Sequence, residues 1–212
     1  AWLLIDEAHS VGVVGPNGRG AWAQALEEGA ISKVLVGRIV TGGKALGCAG
    51  AFVLGSPELR TLMLSRARSF LFTTALAPAV AGALCGAIER IQELDHGRSY
   101  LRSLAQHLAK ELQLPTPAGA IVPIPVGGSL RAMEITEQLR GLGFQVRAVR
   151  PPTVPANESR IRIVLHANQT FAQVDQLVAG LRSMDWTPRP VQAQEVPTAR
   201  ALWVLGTDTD VG

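Results

Sequence analysis

The chain has little of what several protein classes require. Its 212 residues include only two cysteines, Cys48 and Cys85, far apart and at no metal-ligand spacing. A disulfide framework and a cysteine zinc site are thereby excluded, and a reduced, cytosolic compartment is expected. Aromatic residues make up 5% and charged residues 17%, which leaves room for a substantial buried core and disfavours an all-β sandwich. The formal net charge is only +3, and the arginines are scattered singly. No nucleic-acid footprint follows from them. The longest apolar stretch, Ala75 to Ile88, contains Pro78 and is too short to cross a bilayer, so no membrane partner is expected. Lysine is scarcest of all: three (Lys33, Lys44, Lys110) stand against 17 arginines.

What is abundant is apolar residues (47%) and glycine (22 residues), a composition suited to closely packed α/β layers. Trp2–Ile5 reads as a buried parallel strand closed by Asp6. Residues 10–20 form a glycine-rich loop. Val34–Val40 and Ala51–Leu54 read as further strands, separated by Thr41-Gly42-Gly43-Lys44. Ser56 and Pro57 mark a helix start running to about Arg66. Helices are expected at Pro78–Leu94 and Arg98–Leu112, the second with Leu101, Leu104, Leu108 and Leu112 at helical spacing. Beyond Pro115 the pattern changes. Strands at Ile121–Val126, Phe144–Val149 and Ile161–Leu165 alternate with helices at Ser129–Leu142, capped by Ser129, and Thr170–Met184.

The fold class expected is α/β, with a first domain over residues 1–114 that includes a connecting helix and a small α+β domain over 115–185. A proline-rich linker over 186–200 and a new strand with a glycine loop over 201–212 follow. The chain opens inside a core strand and stops inside a motif, so a fragment of a longer reading frame is expected.

Among the lysines, Lys33 precedes a strand and Lys110 lies on the polar face of a helix. Lys44 follows a strand and two glycines, at the carboxyl end of a sheet where α/β ligand sites form. On spacing alone it could equally be a surface turn lysine. Asp6 and His9 sit at the end of another apparent core strand. A carboxylate there needs a cationic partner, either Arg19 or a protonated ligand nitrogen.

With these residues in place, the chain resembles the α-oxoamine synthase family of fold-type I pyridoxal-phosphate (PLP) enzymes. The resemblance rests on DEAHSVGVVGPNGRG (6–20), TGGKALGCAGAFVLGS (41–56), RSFLFTTALAPAVAGA (68–83) and RAVRPPTVPANESRIRIVLHA (147–167), and covers about residues 1–184. It implies the large domain of that fold in part, plus the small C-terminal domain, and PLP as cofactor. It also implies a role for each matching residue. Lys44 captures the cofactor's aldehyde, Asp6 pairs with its ring nitrogen, and His9 hydrogen-bonds its phenolic oxygen. Thr41 holds the cofactor near the phosphate, and Thr73 or Thr74 reaches the phosphate of a neighbouring subunit in a homodimer. Arg150 is implied to pair with a substrate carboxylate and Thr153 to contact substrate, while Arg160 and Arg162 share one strand face and are structural. Residues 147–167 point to the branch that condenses L-alanine with a pimeloyl thioester, with decarboxylation. Other amino acids, glycine or serine, remain open.

Family members often carry a histidine where Gln169 stands. The family's stacking histidine and phosphate turn have no counterpart in this chain, so PLP binding by these residues alone is expected to be poor. LWVLGTDTDVG (202–212) resembles the first strand and phosphate loop of dethiobiotin synthetase. That implies a second, ATP-dependent activity on the same polypeptide, and leaves a ligase or a merely structural piece as alternative readings.

Overall fold

The computed structural model describes residues 2–30, 35–184 and 186–187. The expected linker, apart from residues 186–187, and the glycine-loop segment 201–212 lie outside them. The described chain divides into two compact units after Asp95.

The first unit is built on a three-stranded sheet in the order β1 (Leu3–Asp6), β2 (Leu35–Thr41), β3 (Ala51–Gly55). β1 and β2 are parallel, with Asp6 opposite Ile39, so both strands deliver their carboxyl ends to one edge. The ladder runs one step further, Glu7 N–H donating to the Ile39 carbonyl at 2.8 Å. β3 returns antiparallel to β2, Thr41 facing Ala51. Between β1 and β2 the chain makes a short 3-10 turn at Pro16–Gly18 and then helix α1 (Ala21–Glu27), which the sequence reading did not anticipate.

Helix α2 (Pro57–Arg66) starts as expected: the Ser56 side chain accepts from Leu59 N–H and Pro57 takes the first turn. A single turn, α3 (Arg68–Leu71), leads through an exposed segment into α4 (Pro78–Gln92). The small core of this unit is Val40, Leu46, Leu84 and Ile91, with Val11, Cys48, Phe52 and Ala87 packed against it.

The second unit contains α5 (Asp95–Glu111), β4 (Ile121–Gly127), α6 (Ser129–Gly141), β5 (Arg147–Val149), β6 (Ser159–Val164) and α7 (Phe171–Arg182). Its sheet runs β4-β6-β5, antiparallel throughout. Leu104, Leu108 and Leu112 are buried with the apolar faces of the sheet and of α6 and α7. The division after Asp95 therefore differs from the expected boundary at residue 114 by one helix, because the leucine stripe of α5 is buried in the second core.

Two local expectations are corrected. Gly128, not Ser129, is the N-cap of α6, and the Ser129 hydroxyl instead meets that of buried Ser159 at 3.1 Å. The strand expected over Phe144–Val149 forms only at 147–149. The preceding residues are taken up in ending α6. Gly143 (φ +91°) donates to the Arg140 carbonyl and Phe144 to that of Leu139, the paired bonds of a Schellman stop.

Candidate active site

Asp6 is the last residue of β1, and its carboxylate turns back to accept the Ala8 N–H at 2.9 Å. The chain then reverses. The Glu7 carbonyl accepts from Ser10 N–H (3.0 Å) and Val11 N–H (3.2 Å), which puts His9 inside a hydrogen-bonded turn. From the neighbouring strand end, Gly42 N–H donates to the Gly50 carbonyl and Cys48 N–H to that of Gly42, closing the β2–β3 connection. Within it, Gly47 N–H returns to the Lys44 carbonyl at 3.0 Å. A side chain at Gly42 would lie 2.5 Å from the Cys48 carbonyl oxygen, whereas one at Gly43 would meet open space. The first glycine is thus required by the loop's own folding.

The two turns meet. Lys44 Nζ lies 3.0 Å from His9 Nε2, across 35 positions of sequence. Both side chains are exposed, as is Asp6. The contact depends on close backbone approach below it: a Cβ on Gly12 (φ +81°) would stand 2.7 Å from the Ala45 Cβ. Thr41, at the end of β2, has a buried hydroxyl oxygen with no hydrogen-bond partner.

Asp6, His9, Thr41 and Lys44 are therefore gathered at one edge of the first unit. Thr73 and Thr74 lie on the exposed segment between α3 and α4, which passes over Gly50 through Leu76. Arg150 and Thr153 belong to the second unit and share one turn after β5. Thr153 N–H donates to the Arg150 carbonyl at 3.0 Å across a cis Pro151–Pro152 bond, and the exposed Arg150 guanidinium touches Met133 Sδ at 3.2 Å. Arg160 and Arg162 alternate on β6 with buried Ile161 and Ile163; Arg160 bonds to Glu158.

Sequence reasoning missed Glu7. Its carboxylate is fully buried, bonded to Trp22 N–H (2.7 Å) and to the Arg38 guanidinium (2.6 Å). A glutamate in a glycine-rich stretch reads as a solvated loop residue. The only hint was the side-chain-free Gly20 opening α1.

Parallel strand ends that present an aspartate, a histidine and a glycine-flanked lysine beside an antiparallel third strand, together with a second unit built on its own helix-covered sheet, define the fold-type I PLP-dependent transferase fold. The chain belongs to the aminotransferase class I and II family, whose model matches residues 1–181. It is 39% identical over 186 residues to an 8-amino-7-oxononanoate synthase of Marinobacter nauticus, covering 85% of this chain and 46% of that protein. It is 41% identical over 189 residues to the enzyme of the same name from Anaeromyxobacter sp., covering 87% and 46%. Among solved structures, Sphingomonas wittichii serine palmitoyltransferase superposes with TM-score 0.77 at 25% identity, covering 87% of this chain and 47% of that one. The 8-amino-7-oxononanoate synthase of Francisella tularensis gives 0.71 at 26%, covering 85% and 53%. The chain thus spans about half the length of the curated relatives it matches.

The residues present fit PLP. The unpartnered Thr41 hydroxyl is an orphan that a cofactor oxygen would satisfy, the Lys44 amine is within reach of a polar imidazole, and Asp6 supplies the carboxylate suited to a protonated ring nitrogen.

Proposed function

We propose that this chain forms part of a PLP-dependent acyltransferase that condenses L-alanine with a pimeloyl thioester and releases CO2 and the carrier thiol, the 8-amino-7-oxononanoate synthase reaction of biotin biosynthesis. The observation that carries this reading is the 3.0 Å meeting of Lys44 Nζ and His9 Nε2 at the joined strand ends. The names of the relatives and the 147–167 segment support the choice of substrates. When bound, PLP supplies an aldehyde for the amino group and a ring that accepts the electron pair left at the substrate's Cα. Lys44 would hold the cofactor through its amine and, when that amine is free, would take the substrate's Cα proton and later return one to the product. Asp6 would face the ring nitrogen as its carboxylate partner. His9 would orient the phenolic oxygen and the lysine together, and Thr41 would anchor the cofactor beside β2. Arg150 binds the substrate carboxylate through a charge-assisted pair, with Thr153 beside it. We place Thr73 and Thr74 at a homodimer interface, reaching the partner's cofactor phosphate.

The test is made on the complete polypeptide. Borohydride should fix the cofactor onto Lys44, located by peptide mass spectrometry, and Lys44→Ala should abolish both fixation and turnover. Full multiple-turnover activity in Lys44→Ala would sink the assignment. A different member of the family, using glycine or serine, would be revealed by its preferred amino acid in the same assay.

Residues 202–212 lie beyond the family match, which ends at 181, and the sequence GTDTDVG supports a second proposal: part of an ATP-binding dethiobiotin synthetase segment. ATP-dependent carboxylation of the diamino precursor by the complete polypeptide would support it, and a polypeptide that neither binds ATP nor carries that reaction would refute it.

A further inference from the structure

The group that organises the strand ends is the buried Glu7, which no cofactor role absorbs. Its carboxylate makes two bonds in different directions. Oε1 accepts the Trp22 N–H at 2.7 Å, supplying the first turn of α1 with the acceptor that its N-cap, Gly20, cannot provide. Oε2 accepts the Arg38 guanidinium at 2.6 Å, and the same guanidinium nitrogen donates to the Arg19 carbonyl at 2.7 Å. The backbone of Glu7 is equally engaged: its N–H extends the β1–β2 ladder and its carbonyl closes the turn that carries His9. Arg38 stands on β2, three residues before Thr41 and six before Lys44, directly opposite Ile5. One buried ion pair therefore joins the turn bearing His9 to the strand leading to Lys44.

The packing around this pair leaves no room for a side chain at Gly20. A Cβ at Gly20 (φ +95°) would fall 1.9 Å from Glu7 Oε2. The side chain of Glu7 is fully buried and that of Arg38 retains 19% exposure. A desolvated pair of this kind is weak evidence for stability as such, since apolar replacements often fold as well or better. Its distinctive property is direction: a carboxylate held from two sides fixes the residues on either side of it in sequence, and here these are Asp6 and, two further on, His9.

We propose that Glu7, through Arg38, is a positioning residue that sets the placement of Asp6 and His9 against Lys44. This rests on the PLP reading above. The role is geometric and transfers no proton. Misplacement of reacting groups by about 1 Å is enough to cost on the order of 100-fold in rate.

The experiment compares the complete polypeptide with Glu7→Gln and Arg38→Lys, and with the two combined. Glu7→Gln keeps the size and an acceptor for Trp22 N–H but loses the charge; Arg38→Lys keeps the charge but not the fork. Cofactor fixed by borohydride on Lys44 counts the competent sites, and turnover is expressed per fixed site. Visible circular dichroism of the bound cofactor, measured without substrate, reports its orientation. We expect kcat per site to fall about 10- to 100-fold in each single variant with KM for alanine within about 2-fold. The visible dichroism should change, and the double variant should be no worse than the poorer single one, because both act through one contact. If either variant folds and matches the parent in kcat per site and in dichroism, Glu7 is structural only and the proposal fails. A parent protein that fixes no cofactor on Lys44 overturns the PLP reading, and this inference with it.

Discussion

At the scale of single residues, the site divides into groups that a sequence displays and groups that only folding reveals. Lys44 was legible because it follows two glycines at a strand exit, and Asp6 because a carboxylate ending an apolar run must be answered by something. The meeting of Lys44 with His9 was implied by resemblance alone, since 35 positions separate those two side chains. Glu7 was illegible: nothing in local pattern separates a buried glutamate from a solvated one, and its partner Arg38 lies on another strand. The suggestion that Asp6 binds Arg19 gives way to a different geometry, in which Asp6 accepts its own turn's N–H and the Arg19 carbonyl serves Arg38. Two outcomes follow at this scale. Gly12→Ala forces a side chain into the Ala45 methyl at a positive φ, and should lower the amount of cofactor fixed on Lys44 more than it lowers helix content by circular dichroism. On the role proposed for Arg150, Arg150→Ala would remove a charge-assisted pair with the substrate carboxylate, and steady-state kinetics should show KM for alanine rising about 10- to 100-fold with a smaller change in kcat.

At the scale of elements, starts were easier to read than stops. Ser56-Pro57 announced α2, and Thr170 with Gln173 forms a full capping box at α7, so the glutamine at 169 leaves that cap intact. The Ser56 hydroxyl, then the Glu58 N–H, hold the Glu58 carboxyl below its ordinary value. Its contribution to α2 is accordingly present above the unfolded carboxylate range and is lost as pH falls through the lower, folded value. Ser56→Ala should cost about 1 kcal/mol and let the Glu58 titration, followed by NMR, move back up. Stops were misread where a turn consumes residues of strand character. The Schellman bonds of Gly143 and Phe144 shorten β5, although Phe144–Val149 alternates as a strand should. Helix α5 ends in the same way with Gln113 at φ +53°, its N–H on the Lys110 carbonyl and that of Leu114 on Ala109. A non-glycine residue there carries backbone strain, so Gln113→Gly should raise stability by about 1 kcal/mol in a denaturant titration.

At the scale of the whole molecule, the two units are unequal. The second holds one contiguous core that includes Leu104, Leu108, Ile124, Ile135, Leu139, Ile161 and Leu181, each essentially inaccessible. Among the described residues the first has a buried cluster of four, with Ala8, Trp22 and Ala23 buried outside it, and leaves Leu62, Phe70 and Phe72 exposed. Alternation and helical spacing foretold most elements of both units; the placement of α5 escaped because a stripe of leucines says that a helix is buried but not against what. Leu108→Ala should cost about 2–5 kcal/mol, and amide exchange at β4 and β6 should be slower than at β1 and β2. Lys44 is exposed on the unit with the thinner core. Gentle warming of this chain should therefore release the amine from its neighbours while the far-ultraviolet signal of the helices is still largely intact, so that chemical competence fades at a lower temperature than secondary structure.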